Sequence, residues 1–295
     1  MDGAQPAAKV RTEVRGNIGL ITLNDPATLN AAGLELMQGL TAAFEGFVAD
    51  PAVRAIVLTG EGRGFCSGAN LTAGTAGGVT NDPNGPNQSL IRVYNPFVSA
   101  VRKSPKPLVA AVNGVAAGVG ASLALVCDLI VAAESAYFLQ AFRRIGLVPD
   151  GGATYLLPRL VGKARAMELT LLGEKLPAAT ALDWGMINRC VPDAELMPTA
   201  MALAGQLASG PAAHGLTRQT IWAGLESDWA DQLHRERMGQ SVAGRTEDFR
   251  EGVTAFLQKR PATCLHPSRC SSPHKPGRDS RDRACASVAE TYDLV

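Results

Sequence analysis

Nothing in this 295-residue chain is long, apolar and uninterrupted. Runs such as Leu108–Val112 and Leu123–Val126 are broken by glycine and polar residues well short of the roughly 20 residues a membrane-spanning helix needs. Charge of one sign is missing too. Lys and Arg number 28 against 27 Asp and Glu, a formal net charge of +1. That removes the global electrostatic case for nucleic acid or for an anionic membrane surface as a partner. The 6 cysteines contain no C-x-x-C. Cys66, Cys127 and Cys190 lie far apart in apolar or glycine-rich contexts and read as buried free thiols. Cys264, Cys270 and Cys285, with His266 and His274, fall near the C-terminus at spacings that match no zinc template, and no metal site is expected. The opening M-D-G-A-Q-P-A-A-K-V lacks the basic-then-apolar pattern of a secretory signal, so the expected setting is cytoplasmic and reducing.

Several catalytic motifs are absent as well. There is no G-x-x-x-x-G-K-[ST], and Gly114, Gly118 and Gly120 do not follow the G-x-G-x-x-G order. No G-x-S-x-G marks a nucleophilic serine. His214 and His234 lie in helical stretches and read as helix-face residues. Glu134, in A-A-E-S-A-Y, reads as a turn cap or a solvated side chain.

What is present is a sizeable apolar content, 46%, arranged as strands and helices in alternation. Val10–Val14 and Ile18–Leu23 are β-rich runs joined by Arg15-Gly16-Asn17, a hairpin. Leu34, Met37, Leu40, Ala43, Phe44 and Phe47 recur at helical spacing. Ala55–Thr59, Leu108–Val112 and Leu129–Ala132 are short apolar runs that read as buried strands. Helices are expected near 88–102, 118–126, 165–172 and 178–184. Gly60–Gly68 and the Gly/Thr/Asn/Pro-rich stretch 72–86 read as loops. Near-continuous apolar strands alternating with helices imply an α/β fold with buried parallel strands. From Thr199 the pattern turns helical, through 200–207, 215–223, 229–238 and 248–257. The expected organisation is therefore an α/β core over 1–198, a helical region over 199–260, and a polar, aperiodic segment over 261–295 that reads as disordered.

Two glycine-rich loops follow two of the buried strands, Gly64-Phe65-Cys66-Ser67-Gly68-Ala69-Asn70 and Asn113-Gly114-Val115-Ala116-Ala117-Gly118-Val119-Gly120. Such glycines either permit close packing or present unpaired backbone N–H groups to a ligand oxygen, and the residues alone leave both open. Downstream, Gly146-Leu147-Val148-Pro149-Asp150-Gly151-Gly152 sets one acid in an apolar stretch. A carboxylate among Leu147, Val148 and Pro149 should be desolvated, which disfavours its charge and makes it a stronger base.

Together G-R-G-F-C-S-G-A-N-L (Gly62–Leu71), K-P-L-V-A-A-V-N-G-V-A-A-G-V-G-A-S-L-A-L-V-C-D (Lys106–Asp128), G-L-V-P-D-G-G-A-T (Gly146–Thr154) and E-G-V-T-A-F-L-Q-K-R (Glu251–Arg260) resemble the crotonase, or enoyl-CoA hydratase/isomerase, family over roughly 10–260. The resemblance implies a spiral of ββα units with a helical C-terminal trimerisation region. It implies an acyl-CoA thioester as substrate with no separate cofactor, and a homotrimer or hexamer. By the same resemblance, the N–H groups of Ala69 and Val119 form an oxyanion hole. Phe65, Gly68, Leu71, Gly118, Ser122 and Phe142 line the substrate site, and Phe256 and Lys259 match positions that reach a neighbour's CoA in some members. Family hydratases carry two glutamates where this chain has Ser122 and Phe142. Asp150 matches the working Asp of certain isomerases and dehalogenases, but no suitable histidine accompanies it for dehalogenation. Tyr94-Asn95-Pro96, Phe138–Phe142, Ile145–Asp150 and Leu171–Leu176 resemble the phenylacetate-degradation branch, whose isomerase rearranges ring-1,2-epoxyphenylacetyl-CoA to an oxepin thioester. The expected activity is that of an isomerase with Asp150 as its one base. An enoyl-CoA hydratase and a non-catalytic acyl-CoA-binding protein are the alternatives.

Overall fold

The computed structural model describes residues 8–71 and 85–264, so the expectations for most of the 72–86 loop and nearly all of the 261–295 segment lie outside the described residues. Two compact units divide between Gly210 and Pro211.

In the first unit, β1 (Val10–Arg15) and β2 (Ile18–Leu23) form the expected hairpin, with Arg15 opposite Ile18. A short 3-10 turn (Pro26–Thr28) leads to α1 (Leu34–Ala49), which buries Leu36, Met37, Leu40, Phe44 and Phe47. Then come β3 (Ala55–Gly60) and β4 (Gly64–Cys66). Helix α2 (Gly85–Ser89), a π turn (Leu90–Tyr94) and α3 (Asn95–Lys103) run on without a break. Phe97 of α3 meets Phe44 of α1 edge to face, ring centroids 5.7 Å apart.

The chain continues through β5 (Leu108–Val112), β6 (Val115–Ala117), α4 (Val119–Leu125), β7 (Leu129–Ala133) and β8 (Tyr137–Leu139). A 3-10 segment (Ala141–Ile145), α5 (Ala153–Leu172), β9 (Lys175–Pro177), α6 (Ala178–Asp183), β10 (Arg189–Val191), a 3-10 turn (Asp193–Glu195) and α7 (Leu196–Ser209) complete this unit.

One sheet has the order β1-β2-β3-β5-β7-β10 and the other β4-β6-β8-β9. Only β1 and β9 run antiparallel to their neighbours. Each passage β3–β4, β5–β6 and β7–β8 places one strand in each sheet, and successive passages step sideways by one position. This is the spiral of ββα units. The central strands β3 and β5 are buried at every residue, as parallel strands covered on both faces must be.

The short strands of the second sheet are not legible in the residue pattern, because three-residue strands carry too little periodicity. The first corner, between β3 and β4, is fixed by Asn30, a fully buried polar residue. Its amide donates to the Gly64 and Glu61 carbonyls at 2.7 and 3.0 Å and accepts from the Asp25 N–H at 2.8 Å.

Helix α7 packs on β3, β5 and β7. The boundary expected before Thr199 thus falls later, because the apolar face of α7 (Leu196, Ala200, Leu203, Ala204) covers the sheet. Helix α5 begins twelve residues before the expected 165, interrupted at Gly162, whose φ of 76° and ψ of 161° break the helical course. Cys66 and Cys127 are buried free thiols, while Cys190 is only half-buried at the sheet edge, a correction to its expected burial. No described helix is long and apolar enough to cross a membrane, and no described His/Cys/Asp/Glu cluster could hold a metal ion.

The second unit contains α8 (Ala213–Gly224), α9 (Trp229–Ala243) and α10 (Glu247–Leu257). Asp228 and Thr246 cap the last two helices through their side chains. Asp248 ties α10 to the start of the unit by accepting from the Ala212 N–H at 2.8 Å. Between the helices runs an open groove of about 690 Å³ lined by Leu216, Ile221, Phe249, Val253, Phe256 and Leu257.

Candidate active site

The candidate site is built where two corners of the spiral touch. Gly68 ends the loop after β4, and Gly118 joins β6 to α4. A Cβ placed on either would lie 3.9 Å from the other's Cα, so the two backbones run against each other. Gly118 has φ 52° and ψ −128°, a conformation that only glycine adopts without strain. Its N–H donates to the Leu139 carbonyl at 2.8 Å, which pins the turn to β8.

The residues that follow these two glycines are Ala69 and Val119. Ala69 pairs with Ala32 in a parallel bridge, in which the Ala32 N–H donates to the Gly68 carbonyl at 2.7 Å. Val119 is the first residue of α4, where backbone N–H groups have no intrahelical acceptor. Neither the Ala69 nor the Val119 N–H has a hydrogen-bond acceptor among the described residues. Two such donors side by side, one at a helix N-terminus, can bind a carbonyl oxygen that is gaining negative charge.

The Asp150 turn packs against the same turn of α4. The Ser122 hydroxyl donates to the Asp150 backbone carbonyl at 2.8 Å. A Cβ on Gly151 would lie 2.7 Å from the Ser122 Cβ and 3.6 Å from the Val119 Cγ2. The Asp150 turn is therefore packed directly on the first turn of α4. The Asp150 Oδ1 is buried without a hydrogen-bond partner among the described residues, and burial pushes its carboxyl up to about 6. The cause differs from the expected one. Leu147 and Val148 are 42% and 79% exposed and do not enclose the acid. Its enclosure comes instead from the packing of the turn on α4 and from the neighbourhood of Tyr94, whose hydroxyl feels the Asp150 charge.

Phe142 is buried, and its ring tip would stand 3.8 Å from a Cβ on Gly118. The 3-10 segment that carries it is held by Arg143, which donates to the Leu172 carbonyl at 2.7 Å, and by Arg144, which donates to the Gly173 carbonyl at 3.1 Å. Gly68, Ala69, Gly118, Val119, Ser122, Phe142 and Asp150 are thereby brought to one place. Phe65 is fully buried on β4, beneath the loop that carries Ala69. Leu71 is 42% exposed at the end of that loop. Phe256 and Lys259 belong to the helical unit, both exposed, with Lys259 at φ 53°. Tyr94 is a site neighbour that the residue pattern does not single out: it reads as one more apolar helix position, and only the burial of its hydroxyl beside Asp150 marks it.

The sequence of residues 13–264 matches the profile of the enoyl-CoA hydratase/isomerase family, and the chain belongs to that family. It is 44% identical over 256 residues to the 1,2-epoxyphenylacetyl-CoA isomerase of Escherichia coli K12, covering 85% of this chain and 96% of that one. It is 45% identical over 253 residues to a protein of Rhodobacter capsulatus named a probable enoyl-CoA hydratase, again covering 85% and 96%. Among solved structures, an enoyl-CoA hydratase from Polaromonas sp. JS666 superposes with a TM-score of 0.81 at 33% identity, covering 87% of this chain and 99% of that one. A monofunctional enoyl-CoA isomerase from M. smegmatis superposes at 0.66 and 33% identity, covering 77% and 99%. Relatives thus carry both names.

Proposed function

We propose that this protein is an acyl-CoA isomerase that works through a single acid. The observation that carries the reading is one half-buried carboxylate, Asp150, with its Oδ1 out of solvent, set beside two backbone N–H groups without acceptors among the described residues, while Ser122 and Phe142 stand where a hydratase of the family would hold its two glutamates. In a 3-enoyl-CoA, the Asp150 carboxylate removes a proton from C2. The electron pair moves into the thioester carbonyl, whose oxygen gains charge against the Ala69 and Val119 N–H groups. Collapse of that enolate makes the C2–C3 double bond, and the protonated Asp150 returns its proton to C4. The step is redox-neutral and needs no cofactor besides the coenzyme A already on the substrate.

Adding water across a double bond asks for a second group to hold and deprotonate that water. Ser122 cannot supply it, because its hydroxyl is committed to the Asp150 carbonyl. Phe142 cannot either, and its ring makes the site more apolar. An apolar wall suits an aromatic acyl group, and the likeness to the E. coli enzyme points to ring-1,2-epoxyphenylacetyl-CoA as the substrate and to phenylacetate catabolism as the setting. We place the enzyme in the cytoplasm as a homotrimer or hexamer, with the exposed apolar groove of the helical unit as the surface that associates and Phe256 and Lys259 directed to a neighbour's CoA.

The test follows thioester conjugation by absorbance. The purified protein should generate conjugation from a 3-enoyl-CoA and leave crotonyl-CoA unchanged. Loss of conjugation from crotonyl-CoA would make it a hydratase. Binding of both thioesters without turnover of these or of the epoxide would make it an acyl-CoA-binding protein.

A further inference from the structure

Tyr94 is almost fully buried, 2% exposed, and its hydroxyl donates to the Ala32 carbonyl at 2.8 Å. Ala32 is itself fully buried and is the residue bridged to Ala69, with its N–H on the Gly68 carbonyl. One continuous line of hydrogen bonds therefore runs from the Tyr94 ring to the loop that carries a candidate oxyanion donor. Tyr94 closes a π turn, in which the Asn95 N–H donates to the Leu90 carbonyl five residues back. Pro96 explains the wider turn: it has no N–H for the Arg92 carbonyl, and its ring would crowd that carbonyl in an ordinary helix. The π turn shifts the following residues around the helix axis and fixes where the Tyr94 ring points. The hydroxyl also lies within electrostatic reach of Asp150, whose charge adds to burial in holding it protonated. Tyr94 thus feels the candidate base, is hydrogen-bonded to the residue bridged to the candidate donor, and remains a hydrogen-bond donor throughout the working pH range.

We propose that Tyr94 is a positioning residue that sets the Ala69 N–H through Ala32. The proposal rests on Ala69 being an oxyanion donor, as in the reading above. If it holds, loss of the hydroxyl takes one donor from the Ala32 carbonyl, lets the Gly68–Ala69 backbone shift, and weakens polarisation of the thioester without removing any group that touches it.

The experiment compares the wild type, Tyr94→Phe and Val93→Ala, the last a packing control in the same π turn at a residue 7% exposed. The probe is phenylacetyl-CoA labelled with 13C at the thioester carbonyl, which has no double bond to hydrate or shift. Infrared difference spectra report the bound carbonyl band, and 3-enoyl-CoA turnover is measured in parallel. The expected result is a band below its position in water for the wild type and for Val93→Ala, and a band returned toward the water position in Tyr94→Phe. With it, Tyr94→Phe should lose about 10- to 100-fold in kcat while KM stays within about 3-fold. A wild-type band at the water position would overturn the oxyanion reading and the proposal with it. A normal wild-type shift that Tyr94→Phe retains, with kcat unchanged, would overturn the role of Tyr94 alone. If Tyr94→Phe does not fold, 3-fluorotyrosine at position 94 keeps the ring and hydroxyl while strengthening the donor. A carbonyl band displaced from the wild-type position then supports the proposal, and an unmoved band overturns it.

Discussion

Asp150 owes its raised pKa to burial. A surface Asp is ionised far below neutral pH and is a weak base, whereas this one, half-buried and with an Oδ1 that has no hydrogen-bond partner among the described residues, is lifted to about 6. On the proposed mechanism the base must be ionised, so the logarithm of kcat/KM for isomerisation should rise with unit slope up to about pH 6 and flatten above it. Replacing Asp150 with Asn should lower turnover by about 10²–10⁴-fold and leave the dissociation constant of a CoA thioester nearly unchanged. The same shift has a stability consequence whose sign is opposite to that of a salt-bridged acid. A raised pKa means the native state holds the proton more tightly than the unfolded chain. Burying the acid therefore costs nothing below the unfolded value near 3.8, and the cost grows as pH rises through about 6. Asp150→Asn should accordingly melt a few degrees higher than the wild type at pH 7.5, by roughly 2–6 °C, with the gain gone near pH 4. A melting temperature unchanged or lowered at pH 7.5 would contradict the burial argument. At Ser122, tight contact with the Gly151 backbone leaves no space for a longer side chain. Ser122→Glu should not confer hydration of crotonyl-CoA and should cost about 3 kcal/mol or more, as an unpaired buried charge does, measured by urea unfolding.

At the scale of elements, the site depends on corners more than on strands or helices. The β3–β4 corner is tied by Asn30, the β6–α4 corner by the Gly118 N–H, and the Phe142 segment by Arg143 and Arg144. The opposite end of the sheet has its own tie. Lys106, just before β5, donates through Nζ to the Phe47 and Asp50 carbonyls, both at 2.6 Å, where α1 ends. This cation caps a helix C-terminus, where carbonyls lack intrahelical donors and the helix dipole favours positive charge. Burial pulls its amine down to about 8 against the opposing charge of Asp50. Lys106→Met should therefore cost about 1.5–3 kcal/mol of stability. It should leave KM for a CoA thioester unchanged, since β5 carries its site-forming loop at the other end. Paired denaturation and kinetic measurements check both halves of that expectation. Helix α5, interrupted at Gly162, and the π turn before α3 show elements whose course is set by single glycine and proline residues.

At the scale of the whole molecule, the helical unit leaves Ile221, Phe249, Val253, Phe256 and Leu257 exposed, from 45% to 83%. This is the face proposed above to associate, as large exposed apolar patches do. Light scattering should return a trimer or hexamer of the 30.8 kDa chain, and Phe249→Glu with Val253→Glu should shift it toward monomer.

Much of the architecture is legible in the residues. The apolar runs at β3, β5 and β7 announce buried parallel strands, the runs at β1 and β2 announce a hairpin, and the spacing of Leu34 to Phe47 announces α1. Asp150 stands out as a lone acid in an apolar stretch, and the two glycine loops stand out by composition. Other features are not legible, for definable reasons. Strands β4, β6, β8 and β9 are three residues each, too short to show a period, and α7 reads as part of the helical region because periodicity does not say which surface an apolar stripe covers. The local chain determines which residues can be strand, helix or tight turn, since backbone sterics and side-chain periodicity act within a few residues. Only the tertiary structure decides that Gly68 meets Gly118, that Ser122 holds Asp150, and that Tyr94 reaches Ala32. Those contacts join residues 28 to 62 positions apart, and they arise from how the spiral stacks one corner on the next.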